Sequence, residues 1–104
     1  MTAAPLDPEL TAASRWPGQL AAIDIGSNSF RLEIGQRVQG RYRRVDYLKE
    51  TVRLGAGLDT DGLLTEAAAA RGLACLARFA HRLEGYVAQQ VRAVATQTLR
   101  EARN

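Results

Sequence analysis

The sequence lacks nearly everything that staples, cages or membrane-anchors a chain. Of its 104 residues one is cysteine, Cys75, and one is histidine, His81. A single thiol excludes an intrachain disulfide and fits a reducing compartment. One Cys and one His at scattered positions cannot assemble a zinc site. No apolar run approaches the ~20 residues that span a bilayer. No basic segment followed by an apolar stretch opens the chain, as a targeting signal would. Cytoplasm is therefore the expected compartment, with no membrane partner. The formal charge of +3 is too small an excess to point to nucleic acid. No internal repeat is present. What remains, 46% hydrophobic and 24% charged residues, is ordinary globular composition. The length suits one small domain or part of a larger one.

All three prolines, Pro5, Pro8 and Pro17, fall in the first 18 residues. Met1–Gly18 therefore reads as a mobile leader, with Trp16 as a loose anchor onto the domain that occupies 19–104. Gln19 to Ile25 is a short apolar run of the kind found in buried strands. The turn Gly26-Ser27-Asn28-Ser29 follows. Phe30, Leu32 and Ile34 then alternate with Arg31 and Glu33, the period of a half-buried strand. Val38-Gln39-Gly40-Arg41 predicts a hairpin turn, and a third strand is expected from about Tyr42 to Leu48 or on toward Leu54. Gly55-Ala56-Gly57 and Asp59-Thr60-Asp61-Gly62 mark a loop. From about Thr65 the three- and four-residue spacing of Ala69, Leu73, Leu76, Phe79, Ala80 and Leu83 predicts a helix with those residues inward. Gly85 is its expected stop. Val91 to Thr96 is a further short strand. Thr98 with Glu101 has the spacing of a capping box, so a second helix is expected to start near Leu99. Strand, strand, strand, helix, strand and helix start belong to an α/β layer.

The chemistry concentrates in Asp24-Ile25-Gly26-Ser27-Asn28-Ser29. An acid stands near the end of a buried strand, and a tight polar turn comes next. Glycine at position 26 can take backbone angles closed to other residues. The N–H groups of Ser27, Asn28 and Ser29 can then converge into a nest for an anion, and two hydroxyls and an amide add donors. An ionised Asp24 cannot hydrogen-bond phosphate, but it can hold Mg²⁺ or its waters beside one. The pattern is neither a Walker loop nor a dinucleotide fingerprint, since both lead from strand into helix. On spacing alone it could equally be a polar hairpin turn satisfying its own backbone.

The surroundings add a resemblance. Ala22-Ile23-Asp24-Ile25-Gly26-Ser27-Asn28-Ser29-Phe30-Arg31 resembles the opening of the exopolyphosphatase/guanosine pentaphosphate phosphatase (Ppx/GppA) family. Three further stretches resemble it in the same order: Val52-Arg53-Leu54-Gly55 with Gly57-Leu58, Arg71-Gly72-Leu73, and Ala95-Thr96-Gln97-Thr98-Leu99-Arg100-Glu101-Ala102. The resemblance runs from about Leu20 to the C-terminus. It implies part of a ribonuclease-H-like lobe of the actin-like ATPase superfamily, with Gly26, Ser27, Asn28 and Ser29 as the first phosphate loop. It further implies Asp24 near a Mg²⁺ ion, Arg100 on the phosphate from the first turn of its helix, and Arg31 as a second cation beside the loop. The implied reaction is hydrolysis of phosphoanhydride bonds in inorganic polyphosphate or guanosine pentaphosphate, with homodimer formation open to a full-length relative. The family's general-base glutamate and second Gly-rich loop lie downstream of the Arg100 motif. The chain ends at Asn104, so the isolated chain is expected to be inactive. A phosphotransferase of the same superfamily and a non-enzymatic fragment are the alternative readings.

Other candidates carry less. Arg41-Tyr42-Arg43-Arg44 reads first as a charged strand edge guarded against aggregation, and second as a polyanion track. Asp59 and Asp61 read as a plain turn rather than a calcium loop. His81 is expected on the helix surface, and Cys75 in the core.

Overall fold

The computed structural model of the chain describes residues 13–95 and Ala102. Four strands form one sheet in the order β3-β2-β1-β4. They are β1 (Gln19–Ile25), β2 (Ser29–Val38), β3 (Arg41–Thr51) and β4 (Val91–Ala95). β1 pairs antiparallel with β2, and β2 with β3. β4 instead lies parallel to β1, because the helix α1 (Glu66–Arg82) carries the chain back across one face before β4 begins. The alternation expected over Phe30–Ile34 holds. Phe30, Leu32 and Ile34 are almost fully buried, and Arg31 is exposed. The hairpin expected at Val38–Arg41 is also present, with left-handed backbone at Gln39 (φ 51°) and Gly40 (φ 78°). The second helix expected near Leu99 lies outside the described residues.

The helix begins near Thr65, as expected from the sequence. Thr65 is its N-cap, and the hydroxyl accepts the Ala68 N–H at 3.2 Å. Its buried stripe matches the expected one in part, with Phe79 buried and Leu76 and Leu83 packed against the core. Ala68, Gly72, Cys75 and Phe79 face the sheet, whereas Leu73 is 68% exposed and Ala80 is also exposed. The reason is close approach. A Cβ on Gly57 would sit 2.2 Å from the Ala68 Cβ, so the helix is seated on its smallest residues. A reading by hydrophobicity passes over glycine and counts Leu73 instead.

The core joins Ala21, Phe30, Leu32, Ile34, Val52, Leu54, Cys75 and Phe79. Each large side chain there contributes about 1.5–3 kcal/mol. Ion pairs from helix to sheet rim, Arg78–Glu50 at 2.7 Å and Arg82–Asp46 at 2.8 Å, are partly exposed, so water screens them and they add little stability. They orient the helix more than they hold it.

The last residues of the expected leader are tied to the domain. The Ser14 hydroxyl and the Arg15 N–H both donate to the Gly85 carbonyl. Gly85 (φ 89°) turns the chain after the helix, as expected. Trp16 anchors through its backbone carbonyl, which accepts from the Gln90 side chain at 2.7 Å, while the residue itself is 45% exposed. Residues 1–12 lie outside the described residues.

Candidate functional site

The Gly26–Ser29 turn joins β1 to β2 and stands at one end of the sheet. Gly26 closes it by donating to the Ser29 carbonyl at 3.1 Å. The glycine is required for a different reason from the one expected. Its φ is not left-handed; instead a Cβ there would lie 2.4 Å from the Ser29 carbonyl oxygen. The turn is too tight for a side chain, not too twisted.

Three backbone hydrogen bonds clamp the turn from one side. Val52 and Arg53 both donate to the Asn28 carbonyl, at 2.9 and 2.8 Å, and Gly55 donates to the Ser27 carbonyl at 2.7 Å. Arg71 secures that clamp in turn. Its guanidinium reaches from α1 to the Val52 carbonyl at 3.0 Å and to the Arg53 carbonyl at 3.4 Å. Three of the four stretches singled out in the sequence are thus one structure, loop on clamp on helix. With its carbonyls engaged by the clamp, the turn keeps Ser27 and Asn28 exposed. Ser29 is only 4% exposed, and its Oγ is buried with no hydrogen-bond partner. A buried hydroxyl left unpaired costs about 1–3 kcal/mol.

Asp24 and Arg31 lie side by side on the face of the sheet away from the helix. They are directly opposite in the β1–β2 register, with Arg31 Nη1 3.5 Å from Asp24 Oδ2 and both side chains about half exposed. That long, wet pair is easily exchanged for a stronger partner. A shallow depression of about 430 Å³ opens there, lined by Ala22, Asp24, Arg31, Glu33, Tyr47 and Val94. Farther along this face the Tyr42 hydroxyl donates to Glu33. Burial and then Glu33 push the Tyr42 phenol up to about 12. Arg44 bonds Glu33 at 3.0 Å and stacks 4.8 Å over Tyr47. β3 is an edge strand, the position expected for the Arg41–Arg44 run.

β4 leads toward the same end. Ala95 stands in register with Ile25, the residue before Gly26. Arg100 itself, the remaining predicted site residue, lies outside the described residues. The bystanders fall where the sequence put them. Cys75 is fully buried, and burial, then Glu50, pushes its thiol up to about 12. His81 is on the surface, 3.2 Å from Glu84. The Asp59 carboxylate accepts the N–H groups of Asp61 and Leu63, as a turn does. Sequence reasoning missed Arg53 and Arg71 as individuals, although it quoted the stretches that contain them. A left-handed arginine leaves no mark in hydrophobic periodicity.

A sequence profile of the Ppx/GppA phosphatase family matches residues 33–104. The chain belongs to the Ppx/GppA phosphatase family. Over 86 residues it is 44% identical to a Haemophilus influenzae protein named, by inference, as an exopolyphosphatase, covering 83% of this chain and 27% of that one. Over 84 residues it is 46% identical to the guanosine-5'-triphosphate,3'-diphosphate pyrophosphatase of Pseudoalteromonas translucida, covering 81% of this chain and 17% of that one. The crystal structure of an exopolyphosphatase from Cytophaga hutchinsonii superposes with a TM-score of 0.75 at 34% identity, over 83% of this chain and 28% of that one. The Ppx/GppA family member of Aquifex aeolicus also gives 0.75, at 30% identity and the same coverage. The chain therefore spans about a quarter or less of the length of these relatives. The observed sheet and helix are part of the actin-like ATPase fold those structures share. Among the described residues no helix is long and apolar enough to cross a membrane.

Proposed function

We propose that this chain supplies the first phosphate-gripping segment of a phosphohydrolase that cleaves phosphoanhydride bonds, with inorganic polyphosphate or guanosine pentaphosphate as substrate. The observation that carries this reading is the clamped Gly26–Ser29 turn with Asp24 and Arg31 at its edge. The turn presents Ser27 and Asn28 to solvent from a backbone that cannot relax, so little reorganisation is needed when an anion arrives. Arg31 moves from Asp24 to a phosphate oxygen, where the charge-assisted bond is stronger than its long pair. Arg100, which the family resemblance makes a phosphate contact, belongs to this reading as a proposed second cation.

Among the described residues a divalent cation would find one carboxylate beside the turn, that of Asp24. No cluster of three or more metal-ligating side chains exists among the described residues, so Mg²⁺ would be held by Asp24, waters and phosphate oxygens rather than by a protein cage. When bound it would neutralise phosphate charge. Asp24, released from Arg31, would orient it. The residue that activates water is not assigned to this chain, and the isolated chain is expected to release no phosphate.

The two curated names, exopolyphosphatase and guanosine pentaphosphate pyrophosphatase, stand at 44% and 46% identity, so likeness alone favours neither substrate. A chimera tests the reading. Residues 19–104 replace the matching segment of the Pseudoalteromonas relative, and phosphate release is measured from polyphosphate and from guanosine pentaphosphate. The chimera should be active. Asp24→Asn and Arg100→Ala within it should each lose roughly 10²–10³ in rate, the usual cost of a positioned charge. A folded chimera that kept full activity with both substitutions would refute the site assignment.

A further inference from the structure

We propose that Arg53 is a further phosphate-contacting residue of the loop site, held in place by Arg71. This rests on the phosphate-loop reading above and deepens it.

Two non-glycine residues have left-handed backbone among the described residues, and they differ in kind. Gln39 occupies a hairpin turn whose geometry demands such angles. Arg53 (φ 55°, ψ 48°) stands at the start of a short 3-10 turn, Leu54–Gly57. Glycine or asparagine adopts these angles at much lower cost than arginine. The backbone alone therefore explains a glycine at 53, and not an arginine.

The side chain is what arginine adds, and it is free. Val52 and Leu54 on either side are buried, whereas Arg53 is exposed. No hydrogen bond or ion pair engages its guanidinium among the described residues. Arg31, Arg44, Arg78 and Arg82 are paired with carboxylates; what sets Arg53 apart from the other exposed arginines is its place against the loop. The root of Arg53 is fixed against the loop by its own N–H, 2.8 Å from the Asn28 carbonyl. From the Cα its guanidinium carbon is five bonds of ~1.5 Å away, long enough to cover the exposed Ser27 and Asn28. Arg71 holds the Val52 and Arg53 carbonyls, so the unusual conformation is enforced from the helix. A free cation rooted on a rigid clamp beside an anion-suited turn is a preorganised phosphate contact.

The test uses the ¹⁵N-labelled 104-residue chain, titrated with sodium tripolyphosphate in the presence of Mg²⁺. Amide signals of Ser27–Ser29 and the Arg53 Nε–H signal are followed together. Both should move with one affinity. Arg53→Gly should weaken binding about tenfold while the melting temperature stays level or rises, because the strained position is relieved. Arg53→Lys should recover part of the affinity. Arg43→Gln removes the same charge near the hairpin, where Arg43 pairs with Gln36 far from the Ser29–Thr51 end, and should bind like the parent. Loop amides that move while Arg53→Gly binds like the parent would overturn the proposal and leave the loop reading intact. So would equal weakening by Arg43→Gln, which would mean general charge attraction. Loop amides that never move would remove the loop reading and this proposal with it.

Discussion

Replacing Gly26 with alanine separates two physical accounts of the loop by the sign of the effect. Gly26 does not occupy a left-handed conformation. If backbone angles were the whole story, alanine would fit and would stabilise the fold by ~0.4–1 kcal/mol, through lost freedom in the unfolded chain. The contact account gives the opposite sign. The new Cβ meets the Ser29 carbonyl oxygen at 2.4 Å. That atom is backbone at the start of β2, so it cannot swing aside as a side-chain tip could. Relief requires the turn to open. Opening breaks the Gly26–Ser29 bond, worth ~0.5–1.5 kcal/mol, and forces a backbone shift of the overpacking type, ~1–3 kcal/mol. After subtracting the unfolded-state gain, a net loss of about 0.5–4 kcal/mol remains. For a domain of this size each kcal/mol moves the melting temperature by roughly 4–8 °C, so a fall of about 2 °C or more is expected. Differential scanning fluorimetry on the 104-residue chain reads it, and amide exchange at Val52, Arg53 and Gly55 should quicken as the clamp loosens. A variant at least as stable as the parent, with those three amides equally protected, would refute the reasoning.

Other expectations follow from single side chains. Gln90 is fully buried; it donates to the Trp16 and Gln19 carbonyls and accepts the Val87 N–H, so Gln90→Leu should destabilise by about 1–3 kcal/mol, chiefly by leaving the Val87 N–H without its partner, measured by urea unfolding. Arg82 and Arg78 hold Asp46 and Glu50 below the usual carboxylate range, chiefly through their hydrogen bonds. The small stability these acids add is complete above the unfolded range near ~4 and is lost as pH falls through their lowered folded values, so Arg82→Ala combined with Arg78→Ala should flatten the acid limb of a melting-temperature series from pH 5 to pH 2. Cys75, buried and with its thiol pushed up to about 12, should resist iodoacetamide at pH 8 until the chain unfolds, which mass spectrometry would show; prompt labelling of native protein would contradict the packed core.

The strands were legible because their signals are local. Phe30, Leu32 and Ile34 against Arg31 and Glu33 give a period of two, and the sheet honours it. The spacing from about Thr65 gave the helix, and Gly85 its stop. The inward face of the helix was legible in part. Phe79 and Cys75 are buried and Leu76 and Leu83 pack against the core as expected, whereas Ala68 and Gly72 were passed over, Ala68 because it meets Gly57 where nothing larger fits, and Leu73 lies outside. The short turn Ala88–Gln90 and the buried Gln90 were likewise invisible. Their meaning lies in carbonyls about 70 residues away in the chain.

The site was legible as a list of stretches and illegible as a mechanism of support. The sequence placed an acid, a tight turn and a following cation in order, and the β1–β2 register sets Asp24 against Arg31 as that order requires. Nothing in Val52-Arg53-Leu54-Gly55 or Arg71-Gly72-Leu73 says why they should accompany the turn. The structure supplies the reason. On the reading proposed above, a loop that receives an anion has its carbonyls occupied so that its N–H groups stay available. Val52, Arg53 and Gly55 occupy them. Their own strand has ended by then, so Arg71 takes over the freed Val52 and Arg53 carbonyls from a helix that the sheet already fixes. The turn is thereby coupled to the core through hydrogen bonds and backbone rather than through apolar packing. A substitution in the clamp can therefore disturb the loop while leaving the core intact, and that separation lets binding and melting be read independently.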